Sequence, residues 1–409
     1  VSVTAIIHAR VFDGENTTEN QTVIIDGSTI VGVGGPVPAG AQIVDATGAT
    51  LLPGLIDAHV HTSPDSLRLA LAFGVTTELE MQGTSTRFNR AHISADDTLA
   101  DVRSAGFGIT PPGGHPSELF PKGDRPTDDD DPEPADGAPA FVMPFSTTPA
   151  EAVAFIPQLL AGGSDYIKFM VDDGSVEGHP GLPILDQATL DAGVAEAHRL
   201  GALTVAHALT VDATRMAIDA GIDGLAHLFM DRPHTPEIID AIAESGAFVV
   251  ACVVLNASMM GISGAEFAAD PRVHTKLSPE WLTTIQASFD RYPQGRLGDV
   301  LASVKALHEA DVDLIVGTDA SVAVPFLGGL AHGASVHHEL QLLVQAGLTP
   351  AQALTAATST PARRFGLSDR GRIAEGLRAD LLLVDGDPTT NISDTLSIRS
   401  VWRNGTAAV

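Results

Sequence analysis

The chain has 409 residues, too many for one small domain and enough for two or three, or for one large barrel with an appendage. Its 51 acidic and 23 basic side chains leave a net charge of −28, which argues against nucleic acid or anionic membrane as partners, because both are bound through Lys and Arg. One cysteine, Cys252, excludes an internal disulfide framework and a cysteine-rich metal site, and no apolar run reaches the length of about 18 residues that a membrane span needs.

The first fifty residues read as short strands and turns: Val3–Ala9, Thr22–Ile25 and Ile30–Val33, divided by Asp13-Gly14, Asp26-Gly27 and Gly34-Gly35. From Leu55 onward, strand-like runs alternate with Ala-rich helical stretches, the signature of βαβ units and a parallel sheet. The eight strand candidates are Leu55–Val60, Val75–Met81, Gly108–Pro111, Tyr166–Val171, Leu203–His207, Gly224–Leu228, Phe248–Val254 and Asp313–Gly317. Helices are expected at Pro149–Ala161, Leu185–Leu200, Val211–Ala220 and Pro236–Ser245. Thr349 as a cap with Pro350 in the first turn predicts a closing helix that runs to Gly366. The tail returns to strands, at Ala379–Val384 and Ser397–Arg403.

The expected fold class is therefore α/β: a (β/α)8 TIM-like barrel over 53–367, with a small β-sandwich domain built from both termini, 1–52 and 368–409. The barrel segment exceeds the roughly 250 residues of a plain barrel. The excess falls in Pro112–Thr147, after strand three, and Leu255–Arg296, after strand seven. Asp128–Asp131, in the first of these, reads as a solvated loop.

In a parallel barrel, polar groups at the C-terminal strand ends face the active site. His59 and His61 end the first strand two residues apart, so both imidazoles can reach one ion. Lys168 sits in the apolar run Tyr166-Ile167-Lys168-Phe169-Met170 of a chain with only four lysines. An unpaired ammonium there is costly to bury. It either snorkels to water or is carbamylated by carbon dioxide, which makes it an anionic ligand able to bridge two metals. His207 and His227 end strands five and six; alone, each reads as a satisfied core or capping histidine. Asp319 follows strand eight, where a carboxylate is as readily an N-cap. Four histidines, a lysine and an aspartate at predicted strand ends make a coincidence that imidazole–carboxylate metal binding explains. His115 follows Pro111-Pro112-Gly113-Gly114 and is either a donor to the substrate or a solvated turn residue; Asp172 and Asp173 would hold a substrate amine or cap a helix.

Over nearly its full length the chain resembles the amidohydrolase superfamily. The matching pieces are Pro53–His61, the strand-four lysine, the two later histidines, Gly317-Thr318-Asp319 and the tail Gly376–Leu381. The strand-four lysine is similar to that of the binuclear, carboxylated-lysine type. His337–Leu340 together with Ala346–Leu354 looks like the prolidase-like and ochratoxinase-like branch. The resemblance implies that His59, His61 and Asp319 hold one divalent ion, that His207 and His227 hold a second, and that carboxylated Lys168 bridges them. Zinc is the first expectation for both, with manganese, cobalt or iron as alternatives. It further implies cleavage of an amide C–N bond of a small molecule by a metal-bridging hydroxide, with Asp319 as general acid/base; His115, read from its own loop, is the second catalytic candidate. Dipeptides and N-acyl amino acids are among the expected substrates.

Lactone, ester, urea or carbamate cleavage on the same scaffold is the alternative, and a metal-free, non-catalytic scaffold is a weaker one. The expected partner is a small-molecule substrate, with neither nucleic acid nor membrane, and a homo-oligomer is expected. No basic-then-apolar segment opens the sequence, so a cytoplasmic location is expected, with a removed leader left open by the start at Val1.

Overall fold

The computed structural model describes residues 3–119 and 143–408. The expected solvated run Asp128–Asp131 lies outside the described residues. The two ends of the chain join in one sheet. Its N-terminal strands are β1 (Thr4–Phe12), β2 (Thr17–Asp26), β3 (Thr29–Val33), β4 (Gln42–Asp45) and β5 (Ala49–Pro53). Its C-terminal strands are β14 (Leu381–Asp385), β15 (Ile398–Arg403) and β16 (Thr406–Ala407). The order is β16-β15-β14-β5-β1-β2-β3, with β4 beside β1. The seam between the two ends is the antiparallel β5–β14 pair, with Leu52 opposite Leu382. Side chains alternate between two cores at this seam. Leu51, Leu381 and Leu383 pack with Ile6, Ile25 and Trp402, while Leu52, Leu382 and Val384 join the main core. Burial on both faces explains why β5 and β14 read as continuous apolar runs.

Between the ends lie the parallel strands β6 (Leu55–Val60), β7 (Val75–Glu80) and β8 (Asp101–Ser104) in one sheet. A second sheet holds β9 (Ile167–Met170), β10 (Thr204–His207), β11 (Gly224–Leu225), β12 (Phe248–Val250) and β13 (Leu314–Ile315). Backbone hydrogen bonds link the two sheets at both edges. On one side Asp165 donates to Ser104 (2.8 Å), Ile109 to Lys168 (2.8 Å) and Met170 to Ile109 (2.9 Å). On the other, Ala58 donates to Val316 (3.0 Å) and His61 to Ala320 (2.8 Å). The bonding thus runs from β6 to β13 and returns to β6.

Helices Pro149–Ala161 and Pro236–Ser245 match their expected spans, and the first opens with a Thr148–Glu151 capping box. Strands six and eight are shorter than expected, Gly224–Leu225 and Leu314–Ile315, and three further elements differ. The third strand is Asp101–Ser104, and Ile109 and Thr110 of the expected Gly108–Pro111 make only isolated bridges. Its polar sequence hid it: the Oδ2 of Asp101 accepts from Arg370 (2.6 Å), Arg378 (3.1 Å) and Arg103 (3.1 Å), a partnership assembled from distant chain. The seventh strand stops at Val250, because Cys252 adopts a left-handed conformation (φ 48°) and a helix starts at Val253. The carboxylate of Glu339 accepts the first two N–H groups of that helix, Val253 (2.9 Å) and Val254 (2.8 Å). The expected closing helix is two, Pro350–Ala356 and Ser359–Arg364, since Pro361 lacks the N–H that would continue the first.

Candidate metal centre

The side chains expected to hold metal converge where the strand ends meet. His59, His61, Lys168, His207, His227 and Asp319 all line one cavity of about 400 Å³, and His115 lines it too. The imidazoles of His59 and His61 each have a defined donor. The Nδ1 of His59 donates to Ala226 O (2.8 Å) and that of His61 to Gln82 O (3.0 Å). A carbonyl can only accept, so in the neutral rings both Nε2 atoms present lone pairs. Those two atoms lie 3.2 and 3.0 Å from the same oxygen, Oδ1 of Asp319. Three electron-rich atoms at such separations repel one another unless a cation sits among them, and their spacing fits a small ion.

Asp319 reaches this position through a left-handed backbone (φ 60°), pinned by its own N–H to His59 O (2.8 Å). Burial, aided by Lys168, lowers His59 to about 3, so the imidazole is a neutral ligand at pH 7.

Beside this trio, His207 donates from Nε2 to Asp172 Oδ2 (3.2 Å), which turns the Nδ1 lone pair outward from that contact. His227 is fully buried, and neither ring nitrogen has a hydrogen-bond partner among the described residues. A buried imidazole without partners costs free energy, and a metal ion would satisfy it. Lys168 is 1% exposed. Burial pushes its ammonium down to about 8 against the opposing pull of Asp319, so a fraction of the amine is uncharged near neutral pH. The His59–His61–Asp319 set and a second set, His115–Glu177–His207, each bring donor atoms within 4.8 Å of one another.

His115 is not a solvated turn residue. It is 7% exposed and stacks on His207, with ring centroids 4.1 Å apart. Its Nδ1 donates to Glu118 Oε1 (2.5 Å), and Glu177 Oε1 lies 3.9 Å away. Burial would lower its pKa, but Glu177 and Glu118 outweigh that and hold it at about 9. Asp172 holds no helix cap; it accepts from Gly174 N (2.8 Å) and orients His207. Asp173 accepts from Ser175 N (2.9 Å) at the surface.

Sequence reasoning missed Glu118, Glu177, Glu78 and His332. His332 donates to Glu78 Oε1 (2.8 Å) and to Ser321 O (2.8 Å), two residues past Asp319. Glu78 also accepts from Thr62, which follows His61. This bridge braces the segments that carry His61 and Asp319. The one available signal was the pair of carboxylates, Glu78 and Glu80, inside the strand Val75–Glu80.

The family model described as the amidohydrolase family matches residues 50–408. The chain belongs to the amidohydrolase family. It is thus an enzyme, a hydrolase acting on carbon–nitrogen bonds, and its clustered His and acidic side chains suit the metal binding typical of the family. It is 26% identical to an allantoinase of Solibacter usitatus, over 93% of this chain and 83% of that protein. Among solved structures, a Xaa-Pro dipeptidase with methionine bound in its active site matches 99% of both chains, at TM-score 0.73 and 24% identity. The ochratoxinase of A. niger matches 99% of this chain and 95% of its own, at TM-score 0.74 and 21% identity. At such identities the two structures show a shared fold. No helix among the described residues is long and apolar enough to cross a membrane.

Proposed function

We propose that this amidohydrolase is a binuclear enzyme that cleaves an amide C–N bond of a small molecule. The observation that carries the reading is the convergence of two imidazole lone pairs and one carboxylate oxygen, at 3.0 and 3.2 Å, beside the partnerless His227. The return of hydrogen bonding from β13 to β6 supports a closed (β/α)8 barrel over 53–367, with its strand ends as the active face. The sheet built from 4–53 and 381–407 supports a separate terminal domain, the expected sandwich.

His59, His61 and Asp319 would hold one divalent ion and His207 and His227 the other, with Lys168, as its carbamate, between them. Zinc is the expected metal at both. Bound there, the ions would acidify water and polarise the substrate carbonyl. Asp319 lies where it can take a proton from the attacking water and return it to the leaving nitrogen. The fixed Nδ1–H bonds of His59 and His61 keep both rings in one orientation through that transfer. His115, held protonated by two carboxylates, can donate to the oxygen that gains charge.

Protein purified without chelator should contain about two divalent metals per chain by elemental analysis. A metal-loaded panel of amides, ureas, carbamates and lactones tests the reaction. Full activity at one metal or fewer would remove the binuclear reading, and turnover confined to lactones would move the reaction to C–O bonds. His115→Ala, with metals retained, should lower kcat by about 10²-fold, the usual cost of losing one oxyanion donor, and raise KM less. Steady-state kinetics on the best amide reads this. Unchanged kcat with raised KM would make His115 a binding group.

A further inference from the structure

We infer that His332 and Glu78 are positioning residues for the reaction: together they clamp the neck of the loop Ser321–His332 and so fix where the Asp319 carboxylate stands. The inference rests on the proposed role of Asp319 in proton transfer and concerns what holds it in place.

The loop begins two residues after Asp319 and closes on itself at His332. Nε2 of His332 donates to Ser321 O (2.8 Å), across 11 residues of chain. A surface loop of this length with its ends joined is an Ω-loop. Nδ1 of the same ring donates to Glu78 Oε1 (2.8 Å), and both side chains are fully buried. Carbonyl and carboxylate oxygens only accept, so the ring carries both protons and a positive charge. In a buried ion pair neither group can leave without stranding the other, which makes the link stiff. Trp281 stands edge-on to the ring, with centroids 5.5 Å apart, and closes it in. Glu78 thereby ties the neck to β7, inside a sheet.

Between the neck and Asp319 lies Ala320, held from both sides. Its O accepts from His61 N (2.8 Å) and its N donates to Thr318 Oγ1 (3.1 Å). Asp319 itself takes a left-handed backbone to bring its carboxylate to His59 and His61. Such a conformation persists only where the surroundings impose it, and the clamped neck is one of the bonds that do so. Farther out, the loop gives Val322, Phe326 and Leu327 to the cavity wall. That part is fastened separately: Ser258 Oγ donates to Gly328 O (2.6 Å) and Gly329 N to Thr284 O (2.9 Å). Neck and tip thus have different anchors, the neck for Asp319 and the tip for the wall.

The test separates neck from tip in the metal-loaded full chain. An asparagine amide falls near the Nδ1 position of histidine and a glutamine amide near that of Nε2. His332→Asn therefore keeps a donor for Glu78 and opens the neck, while His332→Gln keeps the neck closed. His332→Asn should lower kcat by about 10- to 100-fold with metals retained, the usual cost of losing a group that orients a ligand, and change KM less. His332→Gln should recover severalfold of that loss. The loss should be larger on N-benzylacetamide, whose leaving nitrogen needs the proton of Asp319, than on 4-nitroacetanilide, whose amine leaves readily. Ser258→Ala, at the tip, should raise KM and keep kcat within about threefold. Hydrogen exchange read by mass spectrometry follows the loop without turnover: in His332→Asn, residues 320–331 should lose protection while β9 and β10 keep theirs. If the asparagine variant does not fold, Glu78→Gln is read in the same way, because the neutral ring it leaves has one N–H for two acceptors. Wild-type kcat in the open-neck variant, equal losses on the two amides, a loss that tracks metal content, or unchanged exchange over 320–331 overturns the inference. No cleavage of any amide, urea or carbamate by the wild-type enzyme removes the proposed function instead, and exchange alone then decides whether the neck is clamped.

Discussion

Asp319→Asn should lower kcat by at least about 100-fold, the usual scale for a positioned acid–base group. The side chain keeps its size and one oxygen but can no longer accept and return a proton. The backbone tolerates the change: Asp319 sits at φ 60°, and asparagine is among the residues that enter the left-handed region most readily. An alanine there would confound lost chemistry with backbone strain. Metal content measured beside kcat separates two losses, because the substitution also removes a negative charge from the His59–His61 pair. Near-normal turnover with both metals retained would take Asp319 out of proton transfer and leave it as a ligand.

Lys168→Ala should lose both metal and activity, with turnover down by at least about 100-fold, at or beyond the range for residues that only support a ligand. Lys168 is buried, so truncation also leaves a hole. Lys168→Met fills that hole without an amine and should fail to the same degree, while keeping the thermal stability that the alanine variant loses. Acetate or formate added to the alanine variant should restore part of both metal occupancy and turnover, by placing a carboxylate where the proposed carbamate would stand. A methionine variant that keeps both metals and full turnover would mean that Lys168 is a packed core lysine and bridges nothing.

The candidate ligands stood out in the sequence because their imidazole and ammonium groups sit in or at the ends of several apolar runs at once. His59 and His61, His207, and His227 follow three separate strand patterns, and the structure brings all of them to one cavity. The groups that orient them were not legible. Glu177 lies in a glycine-rich loop, Val171–Gly181, with no period to mark which way its side chain turns. His332 meets Glu78 across 254 residues, and Glu339 caps the helix at Val253 from 86 residues away. Pairings of that kind depend on closure of the whole fold, which no local pattern encodes. The third strand failed for a related reason. Asp101 and Arg103 make Asp101–Ser104 look like loop, and Arg370 and Arg378, from the far end of the chain, join Arg103 in satisfying the Asp101 charge.

The seam between β5 and β14 also sets the order in which the molecule can form. Thr50 Oγ1 donates to Gly386 O across 336 residues. β1, β2 and β3 are neighbours in sequence and can pair as soon as they are made. The outer edge of β5 must wait for nearly all of the chain that follows, roughly tens of seconds at about 5–20 residues per second of synthesis. Throughout that interval β5 can pair with β1, but its other edge stays open and Leu52 lacks the main core. Contacts this distant are slow to close, and an unpaired apolar strand edge is a template for pairing with another chain. The nascent protein is therefore at its most aggregation-prone when it is almost complete, and its yield on overexpression should depend on chaperone supply more than its finished stability would indicate.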